Sequence, residues 1–240
     1  SNIYASLSEG FKAGGYATYE CTEPYDPEEV TSLEFGFKGS LGENTSLNAS
    51  LFRYDYTDFQ VLQVVGIQTV TRNAGDATVN GLELEALTNV SDSLTLNYGV
   101  TLLDATYGDF LNTNGLEPQL GVQQLEGNYL SNAPKVSVNF GLNYTNILSS
   151  GSSLTYRANA AYKSKIYFSE FNEYSQDAYT IVDLNLIWES ADETFRSRFF
   201  IKNATDEEYI SGYLSSATGG GRFGQWGYPR TAGIEIQRNF

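Results

Sequence analysis

"KVSVNFGLNYT" (135–145) reads as the two faces of one strand. Val136, Val138, Phe140, Leu142 and Tyr144 fall on one parity; Lys135, Ser137, Asn139, Gly141, Asn143 and Thr145 fall on the other. A period of two marks a β-strand, whose successive side chains point to opposite sides of a sheet. The same alternation recurs through Leu33, Phe35 and Phe37, through Leu94, Leu96, Tyr98, Val100 and Leu102, and through Val182, Leu184, Leu186 and Trp188. Ten strands are predicted, over 1–9, 29–40, 45–57, 77–89, 93–107, 134–147, 153–167, 179–189, 195–204 and 229–240. Within 45–57 the apolar parity changes, from Leu47, Ala49 and Leu51 to Phe52, Tyr54 and Tyr56, which predicts a β-bulge.

The connections between these strands alternate too. "KGSLGENTS" (38–46), "TNVSDS" (88–93), "TNILSSGSS" (145–153) and "ESADET" (189–194) are short polar turns. Between them fall long segments at 10–28, 58–76, 108–133, 168–178 and 205–228. In an up-and-down antiparallel sheet this puts every long loop at one end. A soluble sandwich has no reason for that arrangement. A transmembrane barrel of the outer-membrane type does, with short periplasmic turns and long extracellular loops.

Composition narrows the field. The chain has 240 residues, 14% aromatics, 23 Gly and 18 Tyr, a mixture suited to β structure with many turns. A formal net charge of −15 argues against nucleic acid, whose phosphates need a basic surface. No apolar run approaches the ~18 residues of a membrane-crossing helix, which leaves a barrel open because barrels show only alternation. The absence of Met fits a segment or a processed chain, and the single Cys21 is either free or paired outside this sequence.

Alternation alone fits a soluble β-barrel as well, with its apolar face inside. Two features favour lipid on the apolar side. Glu34, Lys38, Glu83, Glu85, Arg157, Asp183, Arg196, Arg198 and Glu235 stand at mid-strand on the polar parity, as a water-filled or plugged lumen requires. Tyr54, Tyr56, Tyr98, Tyr144, Tyr156, Tyr162 and Trp188 lie near strand ends, as interfacial girdles do.

The order of several stretches resembles one family. "SEGFKAGGY" (8–16), "EEVTSLEFGFKGSL" (28–41), "LNASLFRYDYTDFQ" (47–60), "NAGDATVNGLELEA" (73–86), "LSNAPKVSVNFGLNYT" (130–145), "IKNATDEEY" (201–209) and "YPRTAGIEIQRNF" (228–240) look like successive strands of TonB-dependent outer-membrane receptors. The resemblance covers essentially the whole chain. It implies the C-terminal part of a barrel of about twenty-two strands, whose N-terminal plug and earlier strands lie outside this sequence. It also implies energy-coupled uptake of a scarce nutrient, a siderophore–iron complex, a cobalamin-like cofactor or a glycan, driven through the TonB complex. The bilayer with its lipopolysaccharide and the barrel-assembly machinery are the other implied partners. Phe240 stands where the family has its terminal aromatic assembly signal, although Arg238 replaces an aromatic often found two residues earlier. The alternative is a complete ten-stranded barrel acting as a passive pore or structural protein. Under the first reading 1–240 alone would not close, because strand 1 lacks a partner for its outer edge.

Enzymatic chemistry has little to work with. There is no His, so neither an Asp–His nor a Ser–His site can be built, and no Cys/His cluster offers a metal or haem site. No cofactor is expected. The candidate ligand-binding residues are Arg222, Phe223, Trp226 and Tyr228 in "YLSSATGGGRFGQWGYPR" (213–230), where a cation and rings adjoin a glycine tract. Their plainer role is a rim that leads into the last strand. The acidic stretch "YECTEPYDPEE" (19–29) could attract cationic ligands or simply face solvent.

Overall fold

The computed structural model of the chain describes residues 1–17, 20–65, 68–216 and 221–239, with backbone alone at 17, 20–23, 63–65, 68–69 and 216. In chain order its strands are β1 (Asn2–Lys12), β2 (Gly15–Ala17), β3 (Glu20–Tyr25), β4 (Glu28–Leu41), β5 (Thr45–Thr57), β6 (Gln60–Val65), β7 (Gln68–Asn73), β8 (Ala77–Ser91), β9 (Leu94–Tyr107) and β10 (Leu111–Thr113). They continue with β11 (Val122–Gln124), β12 (Val136–Ile147), β13 (Ser153–Lys163), β14 (Ile166–Tyr167), β15 (Ser175–Gln176), β16 (Tyr179–Glu189), β17 (Phe195–Lys202), β18 (Ile210–Ser216), β19 (Gly221–Trp226) and β20 (Thr231–Arg238). A short 3₁₀ turn, Pro118–Leu120, stands between β10 and β11.

Ten of these strands form one sheet in the order β1-β4-β5-β8-β9-β12-β13-β16-β17-β20. All neighbours are antiparallel, as expected of an up-and-down meander. The ten predicted strands are all present, with ends that differ by a few residues. Among the described residues the sheet is open, with β1 and β20 each paired on one side only. A closed ten-stranded barrel is therefore not what these residues build.

The long connections hold more structure than the sequence suggested. Each contains its own two-stranded ladder, β2-β3, β6-β7, β10-β11, β14-β15 or β18-β19. Where the chain buries side chains in the ordinary way, it does so here. Ala74, Tyr107, Phe110 and Leu125 make a core, packed by Phe59, Val61, Leu130 and Phe171. This cluster links three long connections and fixes their bases relative to the sheet.

Register assigns the two faces of the sheet. The row Ala86, Tyr98, Phe140, Ala160 and Val182 runs across β8, β9, β12, β13 and β16 on the apolar side. Large apolar side chains on that side are open: Phe35 is 53% exposed, Phe140 44% and Ile234 71%. At about 25 cal/mol per Å² such a face is costly in water. In hydrocarbon it is the natural surface.

The expected bulge in 45–57 does not occur. β5 pairs with β4 and β8 without a register shift, so Phe52, Tyr54 and Tyr56 stay on the polar face. Phe52 and Tyr54 stack there at 4.9 Å, which removes Tyr54 and Tyr56 from the apolar-side girdle. The reason is Gly81, the partner of Phe52 on β8, whose missing side chain leaves room for the ring. The irregularity in the sheet lies instead between Asn89 and Ser91, beside a short turn. Gly81→Val is expected to destabilise the fold by about 1–3 kcal/mol through overpacking. Phe52→Leu in the same chain should recover most of that loss in denaturant titrations. No recovery would show that the ring does not set the requirement for glycine.

Candidate ligand site and family

The nine mid-strand charges named from sequence all fall on the polar face by register. Glu34, Glu83 and Glu85 lie toward β4 and β8, where with Tyr4, Lys38 and Asn48 they line a cleft of about 220 Å³. Arg157, Arg196 and Arg198 lie toward β13 and β17. There Arg157 donates to Asn143 Oδ1 at 2.8 Å, and Arg198 donates to Asn185 Oδ1 at 2.8 Å and pairs with Glu235 at 3.3 Å. Asp183 accepts from the Asn203 backbone N–H at 2.8 Å. Polar neighbours satisfy Arg157, Asp183, Arg198 and Glu235, which is what allows charge there at mid-strand.

The ligand candidates do not converge. In the β18-β19 hairpin Ser215 lies opposite Arg222, and Leu214 lies opposite Phe223. Alternation then places Arg222 with Tyr213 and Ser215 on one face, and Phe223 with Leu214 on the other. Trp226 lies past the irregularity at Ile210 and Gly212 and is 67% exposed; Tyr228 is 86% exposed. One cation and three rings therefore do not form a single clamp. Gly219, Gly220 and Phe240 lie outside the described residues, as does the side chain of Cys21.

Arg222 is instead the centre of a contact among three long connections. Its Nη2 lies 2.9 Å from Glu117 Oε1 and 2.9 Å from Glu173 Oε1. The guanidinium sits 4.3 Å from the centroid of Tyr174, and Tyr174 and Phe168 each stack on Tyr213. Glu173, first, and Glu117 hold the Arg222 proton more tightly than usual. Glu173 also accepts from Asn114 Nδ2 at 2.7 Å through its other oxygen. Burial pushes the Tyr213 hydroxyl above its ordinary range, and the neighbouring Arg222 guanidinium partly offsets that.

Beneath this contact is a cavity of about 70 Å³. Asn112, Asn114, Ser169, Glu170, Glu173 and Tyr213 supply its polar lining. Glu170 is half-buried and accepts from Asn112 Nδ2 at 3.0 Å. Burial, helped by the charge of Glu173, pushes its carboxyl above the ordinary range. None of Glu117, Glu170, Glu173 or Tyr213 was singled out from sequence. "FSEFNEYS" (168–175) has no period, and Arg222 and Glu117 are 105 residues apart.

An open antiparallel sheet with one exposed apolar face, one polar face and all long connections at one end defines part of a transmembrane β-barrel of the outer-membrane type. The profile of the family described as TonB dependent receptor-like, beta-barrel matches residues 1–204. The chain belongs to that family. It is 28% identical over 191 residues, 78% of its length, to the probable TonB-dependent siderophore receptor PiuA of Acinetobacter baumannii, and covers 24% of that protein. It is 25% identical over 244 residues, 99% of its length, to the pesticin receptor of Yersinia enterocolitica, covering 34% of it. Among solved structures, the ferric yersiniabactin uptake receptor FyuA of Yersinia pestis superposes with a TM-score of 0.81 at 21% identity, over 99% of this chain and 35% of that one. The chain thus spans about a quarter to a third of the length of the curated relatives it matches.

Proposed function

We propose that these residues are the C-terminal part of the barrel of a TonB-dependent receptor in the outer membrane, and that the whole receptor takes up a scarce nutrient by energy-coupled transport. A siderophore–iron complex is the leading cargo. PiuA is named a siderophore receptor and FyuA a ferric yersiniabactin receptor, and both share this sheet. A cobalamin-like cofactor or a glycan is the alternative cargo. The observation that supports the reading best is the coincidence of an exposed apolar face with long connections all at the opposite end from the short turns. In this reading the apolar face meets lipid, and Glu34, Lys38, Glu83, Glu85, Arg157, Asp183, Arg196, Arg198 and Glu235 face the lumen and a plug supplied from outside this sequence. The TonB complex acts through that plug. The barrel-assembly machinery inserts the whole receptor, and lipopolysaccharide surrounds the long-connection end. A passive ten-stranded pore is disfavoured by the open edges of β1 and β20.

Spin labels placed singly in the full receptor in bilayers test the orientation. Val136, Val138, Phe140 and Leu142 should be accessible to oxygen, while Lys135, Ser137, Asn139 and Asn143 should be accessible to polar relaxants. A uniform profile would refute it. Uptake of radiolabelled iron chelates by cells with and without the full receptor tests the cargo, and equal uptake of every chelate would remove the iron reading.

A further inference from the structure

We propose that Lys135 and Lys165, seated on the stacked rings of Tyr129 and Tyr167, form an outward-facing site for a phosphate of the lipopolysaccharide lipid anchor. The inference rests on reading the apolar face as the lipid side, and adds the residues that hold one lipid head group. Register puts the cluster on the outside. Leu51, Leu82, Leu102 and Val136 make one row of the apolar face across β5, β8, β9 and β12. The next row toward the long connections is Arg53, Asn80 and Asp104, where the apolar band ends. Tyr129 lies opposite Thr106, two residues beyond Asp104 on the same parity of β9, so its ring belongs to the outer side.

The Tyr129 and Tyr167 rings stack at 5.9 Å with planes 10° apart. Lys135 donates to the Tyr129 hydroxyl and its Nζ lies 4.0 Å from that ring's centroid, while Lys165 Nζ lies 5.2 Å from the centroid of Tyr167. Both lysines are exposed, and neither forms a salt bridge among the described residues. Arg53, near the same level, is by contrast committed to Asp55 at 2.7 Å. The Tyr129 hydroxyl, first, and the charge of nearby Asp104 hold the Lys135 proton more tightly than usual. Two ammonium groups against that one carboxylate leave the cluster positive. Tyrosine rings suit the boundary between hydrocarbon and water, and here they set both lysine stems at that level. Each ammonium has three N–H donors, so the one Lys135 gives to Tyr129 leaves two for phosphate oxygens. The surface below selects a lipid phosphate over a free one. Leu102 is 41% exposed and Phe140, further down, 44%, so acyl chains lie on that face while the head group meets the lysines.

The test uses the full receptor in detergent with a photoreactive benzophenone side chain in place of Leu102, and reads lipid captured at that position by mass spectrometry. The probes are diphosphorylated lipid A and the same lipid with its phosphates removed. The phosphorylated lipid should label at the lower concentration. Lys135→Gln and Lys165→Gln should each raise its half-saturating concentration about fivefold, and together about twentyfold, as the attraction of one cation for an anionic lipid head group implies. Lys163→Gln removes the same charge from the polar face, opposite Ser137, and should change nothing. Heat-modifiable migration verifies that each variant is folded. Equal labelling by the two lipids, or by wild type and the double variant, would overturn the site alone. Competition by inorganic phosphate at the concentration of the lipid would overturn it in favour of a free anion. No labelling by either lipid would overturn it together with the outward orientation of the apolar face.

Discussion

Phe140→Arg is expected to lower the folding free energy of the full receptor in bilayers by about 2–4 kcal/mol, the cost of a guanidinium on the lipid face near the midplane. Phe140 is well inside β12, between Tyr98 and Ala160 on the apolar face, and 44% of its surface is open. Its neighbour Asn139 has the same depth and the opposite parity, facing Gly99 and Ala161. Asn139→Arg should therefore change stability little, since that face already accommodates Arg157 and Lys163 with polar neighbours. Denaturant titrations of both variants in vesicles of defined thickness give the comparison. Equal costs at the two positions would mean that the sheet does not separate lipid from lumen, and would sink the barrel orientation.

Arg222→Ala should loosen three long connections together. The change removes one cation and leaves Glu117 and Glu173 close and uncompensated, with Tyr213 and Tyr174 uncovered on one side. Breaking a fully buried ion pair costs about 3–5 kcal/mol, but these groups keep 20%, 35% and 25% side-chain exposure, so solvent screening brings the expected loss to about 1–3 kcal/mol of local stability. Hydrogen exchange should then speed up by about ten- to a hundredfold over 112–117 and 168–174, with the sheet strands unchanged. Adding Glu117→Gln and Glu173→Gln should restore part of the protection by removing the stranded charges. Arg222→Lys should restore less than wild type, because an ammonium lacks the broad guanidinium that bridges two carboxylates and sits over Tyr174. Unchanged exchange in Arg222→Ala would show that the aromatic stack alone holds the connections together.

Locally periodic features were legible in the residues. Val136 to Tyr144 alternate because the chain must present one side to lipid and one to water, and that demand writes itself at every second position. The short turns were legible for a similar reason, since each is a contiguous polar run, and the long connections were legible as the stretches left between strands. Even the nine mid-strand charges could be placed on one face before any coordinates, because parity within a strand is a local property.

The sequence misled at β5, where three aromatics of even parity looked like a bulge. Whether Phe52 belongs on the polar face depends on a glycine one strand away, Gly81, and no pattern within β5 records that neighbour. The ligand end was hidden in the same way. Arg222 stood out beside Phe223, but a strand sends adjacent residues to opposite faces, so these two chain neighbours do not share a face. Its actual partners, Glu117 and Glu173, come from other connections and reach it only when β18 and β19 fold over them. By itself the sequence determined strand number, face polarity and the end that bears the long connections, since each follows from residues close in the chain. Which side chains meet at that end was decided by tertiary structure alone, because ion pairs, ring stacks and a shared cavity depend on distances in space that spacing along the chain does not encode.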